Sequence, residues 1–254
     1  MERPMGYRSP RRWREMPIVV WDSETTGIDP MLDRVVEIAF AVFANHEQLK
    51  AGVPLSLFVS LVNPDRPIPA GATAVNSITD DMVRREKPFR LVFREAVSHL
   101  SYALDDVLGS NGDVLYAAYN APFDRSMLRA EVLRDWEHLA GVMPRCLDTE
   151  VEWVDPLVWA RVAMGGASGK GTFKLANAAK TLGVEVDEAH THRALGDVLT
   201  AAMVLARLPE LPTADRVLRE GSARELLAWQ ALHALTQDRE RAERRVSAFT
   251  GGES

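Results

Sequence analysis

The sequence predicts an α/β domain in which short apolar strands near the start of the chain are followed mainly by amphipathic helices. Three observations support this fold class. Strand-like apolar runs occur between residues 17 and 62, and later segments repeat their apolar residues at helical spacing. The chain also has 254 residues, of which 46% are hydrophobic, enough for a core without disulfides. The single cysteine, Cys146, is interpreted as a core residue and indicates a reducing, cytoplasmic location.

Five strands are predicted from short apolar runs that end in polar or turn-forming residues. The first three cover residues 17–21, 34–43 and 57–62. Short links between them predict an antiparallel meander. A fourth strand is predicted over residues 114–118, and one more short strand within residues 145–155.

Helical periodicity and capping signals predict the remaining elements and the domain limits. The predicted helices begin near residue 79 and cover residues 89–104, 123–139, 173–182, 194–208 and 222–246. The last begins with a capping box, Ser222–Glu225. The domain limits are a flexible basic arm over residues 1–15, a domain over 16–208 and a helical extension over 209–254. The apolar residues of the last helix either pack on the domain, which we favour, or bind a partner.

Charge and hydropathy exclude several classes of protein. A net charge of −6 argues against a protein that coats nucleic acid non-specifically. It does not argue against a nucleic-acid enzyme, because clustered carboxylates attract Mg²⁺ or Mn²⁺. No apolar run approaches the roughly 20 residues that span a bilayer, so no membrane contact is expected. The N-terminal arginines precede no apolar segment, which excludes a secretory signal.

Two carboxylates follow the first predicted strand at positions i and i+2. Alternation along a strand places Asp22 and Glu24 on the same face. Paired carboxylates repel each other unless a cation lies between them. The alternative, with one residue exposed and the other capping a helix, stays open for this pair alone.

Two further acids lie at the starts of predicted helices. Asp124 falls in a first turn, where complementing the helix dipole explains it equally well. Asp197 lies within an apolar helical stretch, which is costly unless it binds something. His192 precedes Asp197 by five residues, about 140° around a helix. We therefore expect His192 to lie before the helix or in its first turn and to reach towards a metal site. His190 is the alternative histidine and is interpreted as a loop residue.

Together these residues resemble the motifs of the DEDDh branch of the DnaQ-like 3′→5′ exonucleases. The motif D-x-E-T-T-G corresponds to residues 22–27, N-x-x-F-D to residues 120–124, and H-x4-D to residues 192–197. The last spacing selects His192 over His190. Arg193 stands where the sister branch has a tyrosine. The resemblance covers about three-quarters of the chain and does not include the last 45 or so residues.

The resemblance implies a ribonuclease H-like fold, with a mixed five-stranded sheet flanked by helices and an extra C-terminal helix. It implies that Asp22, Glu24, Asp124 and Asp197 hold two Mg²⁺ or Mn²⁺ ions. His192 then takes a proton from the attacking water.

Candidate substrate-binding residues lie beside these motifs. They are Thr25, Thr26, Gly27, Asn120 and Phe123. A core aromatic is the competing interpretation for Phe123. Arg161, Lys170 and Lys174 are either phosphate contacts or solvated surface charges.

The expected substrate is a nucleic acid with a free 3′ end, with single-stranded DNA preferred over RNA. The preference rests on the resemblance to polymerase proofreading subunits and on terminal segments that can dock a DNA polymerase. Two alternatives stay open: an RNA-trimming 3′→5′ exoribonuclease, and a catalytically silent module that binds nucleic acid or a polymerase.

Overall fold

A four-stranded sheet forms the centre of the computed structural model, which describes residues 11–108, 113–142, 144–165, 171–185 and 192–250. The strands are β1 (Ile18–Thr25), β2 (Val35–Phe43), β3 (Ser56–Leu61) and β4 (Leu115–Ala117). Their order is β3-β2-β1-β4. β1 pairs with β2, and β2 with β3, in antiparallel fashion, while β1 and β4 are parallel. The predicted meander and the mixed sheet are therefore confirmed.

The prediction of a fifth strand is wrong, since the sheet has four strands in the described part of the chain. Within 145–155 the pairing is reduced to one parallel bridge between Ala117 and Val154. Val154 donates its N–H to Tyr116 O at 2.7 Å and accepts from Ala118 N at 3.2 Å. The next residue, Asp155, already caps a helix, so the chain leaves the sheet edge before a second pair can form.

Eleven α-helices surround the sheet in the described part of the chain. They are α1 (His46–Ala51), α2 (Ala70–Asn76), α3 (Asp80–Val83), α4 (Phe89–Leu108), α5 (Ala121–Arg134), α6 (Trp136–Leu139), α7 (Pro156–Ala163), α8 (Leu175–Thr181), α9 (Ala194–Arg207), α10 (Arg216–Glu220) and α11 (Ala223–Thr250). The single helix predicted over 123–139 is two helices, because Asp135 between them is not helical (φ −118°, ψ 39°). None of the described helices is long and apolar enough to cross a membrane.

The sheet separates two apolar cores. On one face, Ile18 and Val20 of β1 pack with the buried side of α9. On the other face, Val19 and Trp21 pack with α4 and α5. This division follows from the alternation of side chains along a strand. It also decides that residues 22 and 24 face α9, whereas residue 23 faces α5.

The packed fold begins before the expected boundary at residue 16. Trp13 lies in a 3₁₀ turn (Trp13–Glu15) and is only 1% exposed. Its indole N–H donates to Leu218 O at 3.0 Å, and its ring meets that of Trp159 edge-on at 5.4 Å. Burying an indole together with a satisfied donor is favourable, so residues 13–15 belong to the fold and not to a flexible arm. Residues 1–10 lie outside the described part of the chain.

Replacing Trp13 by alanine should destabilise the protein by about 3–5 kcal/mol, because it leaves a cavity in a packed core. Urea denaturation followed by circular dichroism measures this change in unfolding free energy. Trp136→Ala is the matched control: Trp136 is 46% exposed, and its loss should cost less than about 1 kcal/mol. Equal midpoints for wild type and Trp13→Ala would show that this segment adds nothing to stability.

The C-terminal helix α11 is attached to the domain through a buried amide. Gln230 is 8% exposed, and its Oε1 accepts from Asp155 N at 2.7 Å and from Trp159 Nε1 at 2.9 Å. Its Nε2 donates to Trp153 O at 2.8 Å. Both the oxygen and the nitrogen of the amide therefore bind either α7 or the segment that leads into it.

The apolar residues of α11 divide between two faces. Leu226 is fully buried in the core, and Leu227 and Trp229 pack partly against it. Leu232 and Leu235 are exposed, at 63% and 71%. The interpretation that α11 packs on the domain therefore holds for Leu226, Leu227 and Trp229. The exposed Leu232 and Leu235 do not contribute to the core.

Cys146 is buried, as predicted for a core residue. Burial raises the pKa of its thiol to about 12, so the reactive thiolate is not formed near neutral pH.

Candidate active site

Three carboxylates meet where β1 passes under the first turn of α9. Ligand oxygens of Asp22, Glu24 and Asp197 all lie within 4.8 Å of one another. Asp22 and Glu24 project from the same face of β1, and α9 packs across that face. The strand alternation predicted from the sequence and the position of Asp197 in α9 thus produce one cluster.

Asp124 approaches the cluster from the face of the sheet opposite α9. β4 pairs only with residues 18–20 of β1, so the second half of β1 has no neighbouring strand along the edge that β4 would extend. The start of α5 lies there, and Ser23 donates its Oγ–H to Asp124 Oδ1 at 2.7 Å. Asp124 is 3% exposed, and its charge contributes to the raised pKa values of Asp22 and Glu24. All four predicted acids are therefore close enough to interact.

The pKa values of all four acids are raised. Burial, followed by the charges of Asp124 and Asp197, raises the pKa of Asp22 well above its ordinary value. Burial and the charge of Asp197 raise the pKa of Glu24 to about 8, and burial raises that of Asp124 to about 7. Burial also raises the pKa of Asp197. Oxygen ligands that repel one another in this way fit a hard divalent cation such as Mg²⁺ or Mn²⁺.

The raised pKa values predict how stability depends on pH. In chelator, we expect the unfolding free energy to fall as pH rises from 6.5 to 8.5, an interval that begins between the ordinary and the raised pKa of Glu24 and ends just above the raised value. The folded protein binds more protons there than the unfolded chain, so deprotonation destabilises it. Added Mg²⁺ or Mn²⁺ should restore stability at pH 8.5. Urea titrations at both pH values measure this.

The matched variant for this prediction is Glu24→Gln, which removes one of the two groups, with Asp124, whose raised pKa lies in this interval. Its unfolding free energy should change less between pH 6.5 and 8.5 than that of wild type. A wild-type stability that rises over this interval in chelator would contradict the raised pKa values.

His192 lies two residues before the start of α9, outside the helix, as the spacing predicts. Its side chain is exposed, and its backbone is left-handed with φ of 60°. Burial dominates the raised pKa of Asp197, but the charge of His192 and a hydrogen bond from its backbone act against that rise. A non-glycine residue in this conformation costs about 1–3 kcal/mol, a strain that is common at functional sites. His190, the alternative histidine, lies outside the described residues.

Glu37, which was not among the predicted site residues, holds the start of α9 against the sheet. Glu37 is 1% exposed and lies opposite Glu24 in the β1–β2 register. Its Oε2 accepts from Arg193 Nε at 3.0 Å and from Ala194 N at 2.9 Å, and its Oε1 accepts from the Arg193 Nη2. The only signal in the sequence was an acid inside the apolar run 34–43.

A second missed glutamate holds α5. Glu131 is 1% exposed, and its Oε1 accepts from Arg34 Nε and from Val35 N, both at 2.9 Å. This contact joins the middle of α5 to the start of β2. Each helix that carries a candidate catalytic acid is thus tied to β2 by one buried carboxylate.

The hydroxyls of Thr25 and Thr26 are used by the turn that follows β1. Thr25 Oγ1 donates to Gly27 O at 2.6 Å, and Thr26 Oγ1 donates to Asp33 Oδ1 at 3.0 Å. A Cβ at Gly27 would overlap Asp33 Oδ2, so any other residue there would displace the carboxylate that accepts from Thr26. The two hydroxyls thus help to build the turn, and several backbone groups are used there as well, since Thr26 N donates to Arg34 O at 2.9 Å and Thr25 O accepts from Asn76 Nδ2 at 3.3 Å.

The other candidate contact residues lie around the start of α5 and on α7 and α8. Asn120 is exposed and left-handed (φ 68°), with its N–H donating to Asp155 Oδ1 at 2.9 Å. Phe123 is half-buried against the core, in line with the core interpretation. Lys174 is exposed, Arg161 donates to Gln237 on α11 at 3.2 Å, and Lys170 lies outside the described residues.

Comparison with known families and relatives places this chain among exonucleases. The RNase T exonuclease family model matches residues 19–205. A DNA polymerase III subunit epsilon-like protein of Rhodobacter capsulatus is 34% identical over 199 residues, which are 78% of this chain and 24% of that protein. The DNA polymerase III subunit epsilon of Treponema pallidum is 33% identical over 170 residues, 67% of this chain and 66% of its own. The chain thus spans only part of these relatives.

Solved structures share the fold. Escherichia coli exonuclease I with a dT13 oligonucleotide has a TM-score of 0.58 at 20% identity, covering 77% of this chain and 42% of its own. Exonuclease X with 5′-overhanging duplex DNA has a TM-score of 0.53 at 24% identity, covering 84% and 99%. These matches confirm the expected ribonuclease H-like architecture, apart from the missing fifth strand.

Proposed function

This chain belongs to the RNase T exonuclease family, and from that premise we propose that it is a metal-dependent 3′→5′ exonuclease. It would release nucleoside monophosphates from the 3′ end of DNA. The observation that carries the proposal is the cluster of Asp22, Glu24 and Asp197, with Asp124 beside it. Four neighbouring buried or half-buried carboxylates are too costly to be kept for packing alone.

The proposed roles follow from position. Asp22, Glu24 and Asp197 would hold one divalent cation, and Asp22 with Asp124 would hold a second. When bound, the cations would lower the pKa of a water molecule and neutralise charge on the phosphate. His192, exposed beside Asp197, would take the proton from that water. The backbone of residues 25–27 and the Asn120 side chain would position the terminal nucleotide.

DNA is the proposed substrate because the relatives are named as DNA polymerase III subunits and the structural neighbours hold DNA. Single-stranded DNA and a polymerase partner are part of the same proposal. The family match ends at residue 205, which supports residues 16–208 as the catalytic unit and 209–254 as an addition. A cytoplasmic location is proposed from the single, buried cysteine.

The test uses 5′-labelled single-stranded DNA and RNA of identical sequence, incubated with Mg²⁺, with Mn²⁺ or with chelator. We expect a metal-dependent ladder that shortens from the 3′ end, faster on DNA than on RNA. Faster cleavage of RNA would change the assignment to RNA trimming. Failure of the folded protein to cleave either strand would contradict the catalytic proposal and favour a binding module.

A further inference from the structure

A cavity of about 440 Å³ lies between α5, α7 and α11, outside the carboxylate cluster. Four arginines line it: Arg125 and Arg129 from α5, Arg161 from α7 and Arg241 from α11. We propose that this cavity binds a nucleotide, with the phosphate on the arginines. The nucleotide is either free or one unit of a nucleic-acid strand.

Three of these arginines have no carboxylate partner among the described residues. Arg129 makes no hydrogen bond or ion pair there. Arg161 donates to the neutral amide of Gln237 at 3.2 Å. Arg125 donates through Nη2 to Asp148 O at 2.6 Å, while its Nε is buried without a partner. Like charges gathered around one space repel each other unless an anion enters it.

Acidic residues at the cavity cancel part of this charge. Asp238 pairs with Arg241 at 3.3 Å. Asp155 is 5% exposed, and its Oδ1 accepts from the backbone N–H groups of Asn120 and Leu157, each at 2.9 Å. Glu152 is exposed at the cavity and makes no ion pair with a described residue. By formal charge the four lining arginines exceed the three lining acids by one, so the lining keeps a net positive charge.

Two arginines elsewhere in this chain differ from those at the cavity, because each pairs with a buried carboxylate. Arg34 and Arg193 each meet a glutamate that is almost fully buried, Glu131 and Glu37. In both cases the protein supplies the anion. At the cavity, Arg125 meets main-chain carbonyls, Arg161 meets an amide, and Arg129 has no partner among the described residues. The guanidinium groups of Arg129 and Arg161 are therefore the most available to a phosphate.

The remaining lining suits the apolar part of a nucleotide. Leu157 and Val158 of α7 face Ala231 and Ala234 of α11 across the cavity, with Trp153 beside them. The volume falls within the range of roughly 300–1,000 Å³ typical of small-molecule sites. An apolar wall with an arginine-lined side matches a base joined to a phosphate better than it matches inorganic phosphate alone.

The cavity is separate from the carboxylate cluster although both use α5. Arg125 and Arg129 are spaced i and i+4 and share one face of the helix. Asp124 projects about 100° away from Arg125 around the same helix. Asn120 and Pro122, at the start of α5, also line the cavity, so a ligand there would contact the segment that carries Asp124.

Isothermal titration calorimetry of the full chain in chelator tests this proposal, because binding is then measured without catalysis or metal. The probes are dAMP, ADP, inorganic phosphate and a 12-nucleotide DNA strand. We expect dAMP or the strand to bind more tightly than inorganic phosphate. The Arg129→Gln/Arg161→Gln variant should weaken binding about tenfold or more, since it removes two charge-assisted contacts.

Arg85→Gln is the matched control, because Arg85 is exposed and does not line the cavity. It should bind the probes as wild type does. Preference for the strand would identify a nucleic-acid contact, and preference for dAMP or ADP a free-nucleotide site. Absence of binding by every probe, or equal affinity in the double variant, would overturn the proposal. Neither result depends on whether the carboxylate cluster hydrolyses DNA.

Discussion

Asp22→Asn should lower the turnover number by on the order of a thousandfold or more while leaving the fold intact. Burial raises the pKa of Asp22 most, and the charges of Asp124, Asp197 and Glu24 all raise it further, which places Asp22 at the centre of the cluster. Asparagine keeps the shape of the side chain and removes one of the charges that would hold a cation. Single-turnover hydrolysis of labelled DNA at saturating Mg²⁺ measures the loss.

The stability of the same variant separates loss of chemistry from loss of structure. In chelator at pH 8, Asp22→Asn should be at least as stable as wild type, because one buried repelling charge has been removed. Mg²⁺ should stabilise wild type and have little effect on the variant. Asp105→Asn, which alters an exposed aspartate, is the control and should behave as wild type in both assays. Wild-type turnover by a folded Asp22→Asn protein would remove the proposed metal site.

Glu37→Gln should destabilise the protein by about 2–3 kcal/mol and reduce the turnover number about tenfold. Breaking a buried ion pair costs about 3–5 kcal/mol, and the lower figure allows for Arg193, which is 32% exposed. Glu37 contacts neither substrate nor cation in this scheme. It acts as a positioning residue, because it holds Arg193, which lies between His192 and the start of α9.

The measurement for Glu37→Gln is turnover per folded molecule, at a temperature where denaturation curves show the variant fully folded. A purely structural role would lower the melting temperature and leave that turnover unchanged. Glu225→Gln is the matched control: Glu225 also accepts from a backbone N–H at a helix start, that of Ser222 at 2.8 Å, and pairs with an arginine, Arg216. It should keep full turnover, since α11 carries none of the proposed catalytic residues.

Local rules predicted the part of the site that lies within single elements. Alternation along a strand placed Asp22 and Glu24 on one face, and they project together from β1. Helical geometry placed His192 outside the helix of Asp197, and α9 begins two residues after it. Short links predicted the meander of β1, β2 and β3. Each of these conclusions needs only residues close together in the chain.

The same rules failed at two places, for different reasons. The fifth strand is reduced to one bridge at Val154, because a helix start follows it immediately. That start, Asp155 followed by Pro156, is a local signal that competes with the apolar run before it. Trp13 belongs to the fold because of Leu218 O, which is 205 residues away, and this contact leaves no pattern in the neighbouring sequence.

The fold class, the order of the motifs and the residue types that suit a metal-dependent hydrolase all follow from the order of residues along the chain. Which buried groups hold those residues in place depends on tertiary packing. Ser23 meets Asp124 across 101 residues, and Glu37 meets Arg193 across 156. Periodicity in the sequence predicts which face of a helix or strand is buried. It does not predict which residues of separate elements meet, because such contacts depend on how all the elements pack together.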